Sequence, residues 1–171
     1  LERLTRSRRD ALWQIRALTR ARKDGIAAAA PRTQLSFDAL TDDEAVLWDY
    51  RASKHSARGH PIARFRSELH ARGMPSAADL ERNLHGDVVK YVGLVICRQR
   101  PMTASGVTFM TLEDETGFAN LVFWARTFED DSVLLKTAVV LGVTAEVQKA
   151  DGVIHLIVQR AWRPPPELQP K

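Results

Sequence analysis

The chain has 171 residues and a mass of 19.2 kDa, which suits one domain with a helical appendage. Its 44% apolar content argues against global disorder, and its single cysteine, Cys97, excludes an internal disulfide. The net charge of +4 is uneven: residues 1–25 carry eight Lys/Arg against three acids and residues 86–171 nine against ten, so the pI of 9.6 describes the N-terminus and not a polyanion-binding surface in the second half.

The first residues are charged, and no apolar run reaches the roughly 18–20 residues of a membrane span. With Leu1 in place of a Met and no apolar leader, the expectation is a piece cut from a longer protein, without a signal peptide. Residues 7–23 set Ala11, Leu12, Ile15 and Leu18 at helical spacing, with Trp13 widening the stripe and Gly25 stopping it. A helical region is therefore expected over 1–26. Residues 27–85 read as a linker, "AAAAPRTQ", followed by short helices. Thr41 and Glu44 form a capping-box pattern, in which Asp42, Asp43 and Glu44 are first-turn acids favoured by the helix dipole. Pro61 at N1 and Gly73 as a stop bracket a second helix, and Ser76 with Asp79 caps a third.

After Gly86 the period changes from helix to strand. "DVVKYVGLVICRQR" is a long strand with Gly93 where it can bend, and it holds Cys97 as a small buried side chain. "GVTFMTLED" and "FANLVFW" follow as two strands. The segment 127–136 then reads as one helix, with Thr127 as cap and Asp130 in the box position. "VVLGVTAEVQ" and "GVIHLIVQRAW" are two more strands, joined at Asp151–Gly152, a strong hairpin signal. Residues 163–171 are a proline-rich tail of polyproline II character. The fold class is thus α+β: an N-terminal helical segment, then over 86–162 a five-stranded OB-fold β-barrel with a helix between strands 3 and 4.

The hairpin "FMTLEDETGFANLVFW" carries the functional signal. In its turn Asp114 can bond its own backbone and Gly117 can take a positive φ, so turn chemistry and solubility explain the acids. Strand alternation sends Met110, Leu112, Leu121 and Phe123 into the barrel. It leaves Phe109, Asn120 and Trp124 on the outer face. OB-folds bind single strands on this face, stacking bases on aromatic rings. Arg98, Arg100 and Arg126 are placed to frame the groove. The competing role for Phe109 and Trp124 is to cover the barrel against the N-terminal helices.

"VGLVICRQRP…GVTFMTLEDETGFANLVFW…GVIHLIVQRAW" resembles the C-terminal OB domain of bacterial C-family DNA polymerases, above all the error-prone, DnaE-type (ImuC-type) branch. "DYRASKHSARGHPIARFRSELHARG" resembles the segment leading into that domain, and "SRRDALWQIRAL" the end of the helix-hairpin-helix region before it. The resemblance spans nearly the whole chain. It implies a part in damage-tolerant, mutagenic DNA synthesis in the cytoplasm, beside a Y-family-like mutasome protein and the sliding clamp, with single-stranded or template DNA as ligand and no membrane.

Polymerase chemistry needs clustered aspartates holding two metals, and the sequence has no Asp-x-Asp, no Walker loop and no Cys/His metal spacing. His55, His60, His70, His85 and His155 are scattered and read as surface or packing residues. No catalytic residue, metal ligand or cofactor is expected in this piece, although its parent is expected to be a DNA polymerase. Two functions remain beside a single-strand-binding module: docking of mutasome proteins, favoured by the near-neutral second half, and a tRNA-binding appendage. "QLSFDAL", residues 34–40, also resembles a clamp-binding peptide, unless Leu35 and Phe37 simply pin the linker to a helix.

Overall fold

The computed structural model describes residues 40–53, 55–101, 106–150 and 152–166, with Ile15, Arg16 and Thr19. Those three are helical, inside the helix expected over 7–23. The rest of that helix, the linker, residues 34–39 of the clamp-like peptide and the end of the proline tail lie outside the described residues. Leu1–Thr41 and Asp42–Lys171 are separate compact units.

In the second unit, α1 (Asp42–Ser53) starts directly after Thr41. A 3₁₀ turn (Ala63–Phe65) leads into α2 (Arg66–Ala71), and a second 3₁₀ turn spans Asp79–Arg82. Pro61 is not the first helical residue. The His60 carbonyl accepts from Ala63 N–H at 3.0 Å and its Nδ1 from Ile62 N–H at 3.1 Å, so Pro61 and Ile62 are held in a turn before the helix. Ser76 and Asp79 do form a capping box: Ser76 Oγ accepts from Asp79 N–H at 3.2 Å and Asp79 Oδ2 accepts from Ser76 N–H at 3.1 Å.

The five strands are β1 (Val88–Gln99), β2 (Thr108–Asp114), β3 (Gly117–Phe123), β4 (Val140–Ala150) and β5 (Val153–Trp162). They close into a barrel in the order β1-β2-β3-β5-β4, antiparallel except for the β3–β5 pairing. β1 serves two neighbours: residues 88–94 pair with β4 and 94–99 with β2. Gly93 sits at the changeover, where a Cβ would lie 2.9 Å from Leu112 Cβ, so a side chain would obstruct the crossing. A bulge between Val95 and Cys97 follows, and it leaves Cys97 half-buried instead of buried. Met110, Leu112, Leu121 and Phe123 fill the interior with Tyr91, Leu141, Val143 and Leu156, each at most 2% exposed.

One helix was expected between β3 and β4; there are two. α3 (Ala125–Asp130) starts after Trp124, not at Thr127, and α4 is Ser132–Thr137. The break is at Asp131, which leaves helical geometry (φ −115°, ψ 23°) and accepts Ala161 N–H of β5 at 3.3 Å. Phe128 and Leu135, one from each short helix, are buried in the barrel's core cluster. Arg98 faces the same side as buried Met110, its partner across the strand, and reaches that plug. Its Nε donates to the Leu135 carbonyl at 2.7 Å and its Nη2 to the Ala138 carbonyl, capping the C-terminal end of α4.

The segment before the barrel packs on the outer face of β1 and β4. Ile62, Leu69 and Met74 cluster with Val92, Leu94 and Val140, with Tyr50, Phe65 and Trp162 against them. Its polar anchor is the β2–β3 turn. Asp114, 3% exposed, accepts six hydrogen bonds: from Arg66 Nη2 (2.9 Å), Ala77 N–H (2.8 Å), Tyr91 Oη (3.2 Å), Thr116 N–H (2.8 Å), Thr116 Oγ1 (2.7 Å) and Gly117 N–H (3.2 Å). Arg66 also pairs with Glu115. Burial alone would lower the Arg66 pKa, but these carboxylates outweigh it and raise it. The Tyr91 hydroxyl is pushed well up by burial and by the neighbouring Asp114 charge, so it stays a donor. The turn acids are therefore structural partners of the preceding segment, beyond the local turn role expected of them.

Asp114→Ala removes the buried acceptor of six hydrogen bonds and leaves Arg66 with Glu115 alone, and should cost about 3–5 kcal/mol in chemical denaturation; an unchanged midpoint would remove Asp114 from its central place. Arg98→Ala should lower stability by about 1.5–3 kcal/mol, the range for a charged hydrogen bond, because α4 loses its cap. A third expectation concerns pH. Hydrogen bonds from the Ser76 side chain and backbone hold Asp79 down at about 2, with His70 and Arg82 adding to them. A depressed folded pKa gives stability that is present above the unfolded value near 3.8 and lost as pH falls towards 2. Asp79→Asn should therefore flatten the fall in unfolding free energy between those two pH values, as read by urea titration.

Candidate nucleic-acid interface

The face in question is built by pairing. Residues opposite each other on adjacent strands point to the same side, so the register defines transverse rows. Phe109 pairs with Val122, and Val122 with Ile157 of β5; Gln99 of β1 lies beyond Phe109. The next row runs Cys97, Thr111, Asn120, His155, Gln148, and so crosses all five strands. Beyond it Glu113 pairs with Phe118.

Phe109 is 38% exposed, Trp124 56% and Phe118 63%, while the inward residues between them are sealed. Phe109 and Asn120 thus lie on the outer face of the strands, and Trp124 is exposed just past the end of β3. Neither Phe109 nor Trp124 belongs to the apolar cluster that the helices of residues 42–82 make with the barrel. Trp124 caps the start of α3 in extended conformation (φ −67°, ψ 153°), which fixes its backbone at the end of β3. Asn120 is exposed, and Thr111 Oγ1 donates to its Oδ1 across a long 3.4 Å.

The three arginines differ. Arg98 is committed to the α4 carbonyls, and burial lowers its pKa. Arg100 is exposed at the end of β1, its guanidinium 5.5 Å from the Phe128 ring centre. Arg126 is exposed in the first turn of α3, two residues from Trp124. Arg100 and Arg126 are the cations at the Phe109–Trp124 end of the face. At the other end, Glu113 lies near His60, with Oε2 3.9 Å from His60 Nε2. Burial raises the Glu113 pKa and lowers that of His60.

Residues of this face not singled out from the sequence include Phe118, Gln148, His155 and Ile157. Alternation along "GFANLVFW" puts Phe118 with Asn120 and was enough to find it. His155 and Ile157 join the face through the parallel β3–β5 pairing, which no local pattern announces.

Residues 89–163 match the family described as an OB-fold nucleic acid binding domain. The chain is 41% identical over 160 residues to an error-prone DNA polymerase of Caulobacter vibrioides, covering 90% of this chain and 15% of that protein. It is 44% identical over 117 residues to an error-prone DNA polymerase of Methylococcus capsulatus, covering 68% of this chain and 11% of that protein. Among solved structures, asparaginyl-tRNA synthetase from Pyrococcus horikoshii aligns at 19% identity and a TM-score of 0.44 over 52% of this chain and 22% of the other, too loosely to bear on function. The match spans 15% and 11% of the length of these two polymerases. Over that shared stretch the chain belongs to the error-prone DNA polymerase family, and its barrel is an OB-fold nucleic acid binding domain.

Proposed function

We propose that the chain is the non-catalytic, C-terminal module that binds single-stranded DNA for an error-prone translesion polymerase acting in damage-induced mutagenesis. The observation that carries this is the pair of exposed aromatics at one end of the β2–β3 sheet, Phe109 on the outer face of β2 and Trp124 just past the end of β3, with exposed Asn120 one row further along. Rings held on a rigid sheet stack on bases of any identity, which suits a template whose sequence and damage vary. Arg100 and Arg126 supply phosphate contacts beside the rings, and Arg98 fixes the plug beneath them. Two of the turn carboxylates, Asp114 and Glu115, face the Arg66 guanidinium and so are engaged in holding the fold. The aspartates and metals of phosphoryl transfer belong, on this reading, to other parts of the parent polymerase, and this piece needs no cofactor. It works in the cytoplasm, with a Y-family-like mutasome protein and the sliding clamp as further partners of the parent.

A second reading has support from charge. With nine basic and ten acidic residues over 86–171, the barrel half can neutralise few phosphates, which favours a protein partner on the same face. The two readings part on one experiment. Phe109→Ala and Trp124→Ala should each weaken binding of labelled single-stranded DNA by about 1–3 kcal/mol in fluorescence anisotropy, with little preference among bases. Their melting temperatures should stay near wild type, because both rings are exposed. Repeating the titration at two salt concentrations should give a shallow slope, flattened further by Arg100→Ala or Arg126→Ala. Unchanged DNA affinity in a folded Trp124→Ala protein would transfer the face to the docking role.

A further inference from the structure

The five-strand row through Asn120 has a chemistry of its own. Thr111, Asn120, His155 and Gln148 form a polar lane on β2, β3, β5 and β4. Same-face neighbours along a strand are about 6.5–7 Å apart, so apolar rows lie close on both sides. Phe109, Val122 and Ile157 make one, and Phe118 stands in the other.

The lane is rich in donors. With Thr111 Oγ1 directed at Asn120 Oδ1, the Asn120 amide nitrogen has no partner among the described residues. His155 Nδ1 is sealed from solvent with no hydrogen-bond partner. With Nδ1 sealed, Nε2 is the ring nitrogen left to meet a ligand, and in the Nε2–H tautomer it is a donor. His155 then presents a donor, as do the side-chain amides of Asn120 and of exposed Gln148. The lane has no formal charge, and Glu146 sits in the adjoining row beside Ile157.

We infer that the single-strand site extends from β2–β3 across β5, and that the Asn120–His155–Gln148 lane donates hydrogen bonds to acceptor oxygens of the bound strand, with His155 Nε2 at its centre. This rests on the single-strand reading above and deepens it. Base carbonyls are the favoured acceptors, since the Glu146 carboxylate repels phosphate at the β4 end. The lane supplies orientation where the charge balance of the barrel supplies little attraction, and it gives carbonyl-bearing bases an advantage over an abasic stretch.

The test uses the whole chain and two probes of about 12 nucleotides, oligothymidine and an abasic strand of equal length. His155→Phe keeps a ring but removes both nitrogens, and His155→Gln restores a donor. His155→Phe should bind oligothymidine about three- to tenfold more weakly, and His155→Gln should recover part of the loss. The melting temperature of His155→Phe should be unchanged or higher, because an unpaired buried nitrogen is gone; a packing role would lower it. A loss confined to oligothymidine assigns base carbonyls, and an equal loss on both probes assigns phosphate oxygens; either supports the lane. Trp124→Ala runs alongside. If it weakens binding and His155→Phe does not, the lane is overturned while the aromatic site stands. If the wild-type chain binds neither probe, the single-strand reading fails and the lane with it.

Discussion

The Asp114 carboxylate is the point on which the rest of this unit depends. It is buried in the β2–β3 turn and takes donors from four separate places: its own turn, Tyr91 of β1, Arg66 of α2 and the backbone at Ala77. A buried carboxylate is costly unless its lone pairs are filled by good donors. Here six hydrogen bonds meet that requirement, and in doing so they fix three things together. The hairpin turn closes, the first strand is tied to it from inside the barrel, and the helical segment before the barrel is fastened outside. Removing the carboxylate frees all three ends.

The consequence for function is a platform held at both ends. The turn end of β2–β3 is clamped through Asp114 and Arg66. The open end is held by the α3–α4 plug, where Arg98 caps α4 and Asp131 takes the Ala161 amide of β5. Phe109 and Trp124 lie at this second end. Their backbones are thus fixed before any ligand arrives, and on the proposed single-strand reading a site already ordered loses little entropy on binding. The helical segment packs against Val92, Leu94 and Val140, which keeps it on β1 and β4 and leaves Phe109, Phe118 and Asn120 exposed.

The barrel was legible in the sequence because its evidence is local. Alternation in "FMTLED" and "FANLVFW" sorts inside from outside without knowledge of any partner strand, and Gly93 and Asp151–Gly152 mark the bend and the hairpin. What was not legible depends on distance in the chain. Asp114 reads as a turn residue because its other donors lie 23 to 48 positions away. Arg98 reads as a groove cation because nothing nearby says that the α4 carbonyls come within reach of it. The break at Asp131 reflects a tertiary acceptor role that overrides a good helical pattern. His155 was invisible for the same reason, since its place beside Asn120 exists only through a parallel pairing three residues long.

Charge and geometry together explain how a near-neutral barrel can serve a nucleic acid. Non-specific affinity scales with phosphates neutralised, and Arg100 and Arg126 are the two cations at the aromatic end of the face. A face with so few charges must draw its affinity from stacking and from neutral hydrogen bonds, terms that act only at contact and do not steer from afar. On the proposed reading, such a face holds a strand that is already close and releases it readily. On the proposed single-strand reading, long-range attraction is left to other parts of a parent polymerase, and the barrel contributes order at short range. Added basic residues would tighten the grip, and they would also make release slower, since contacts to phosphate persist at every register along the strand. Weak charge on the barrel is therefore compatible with a template-handling role, provided that the aromatic rings and the donor lane supply the contact.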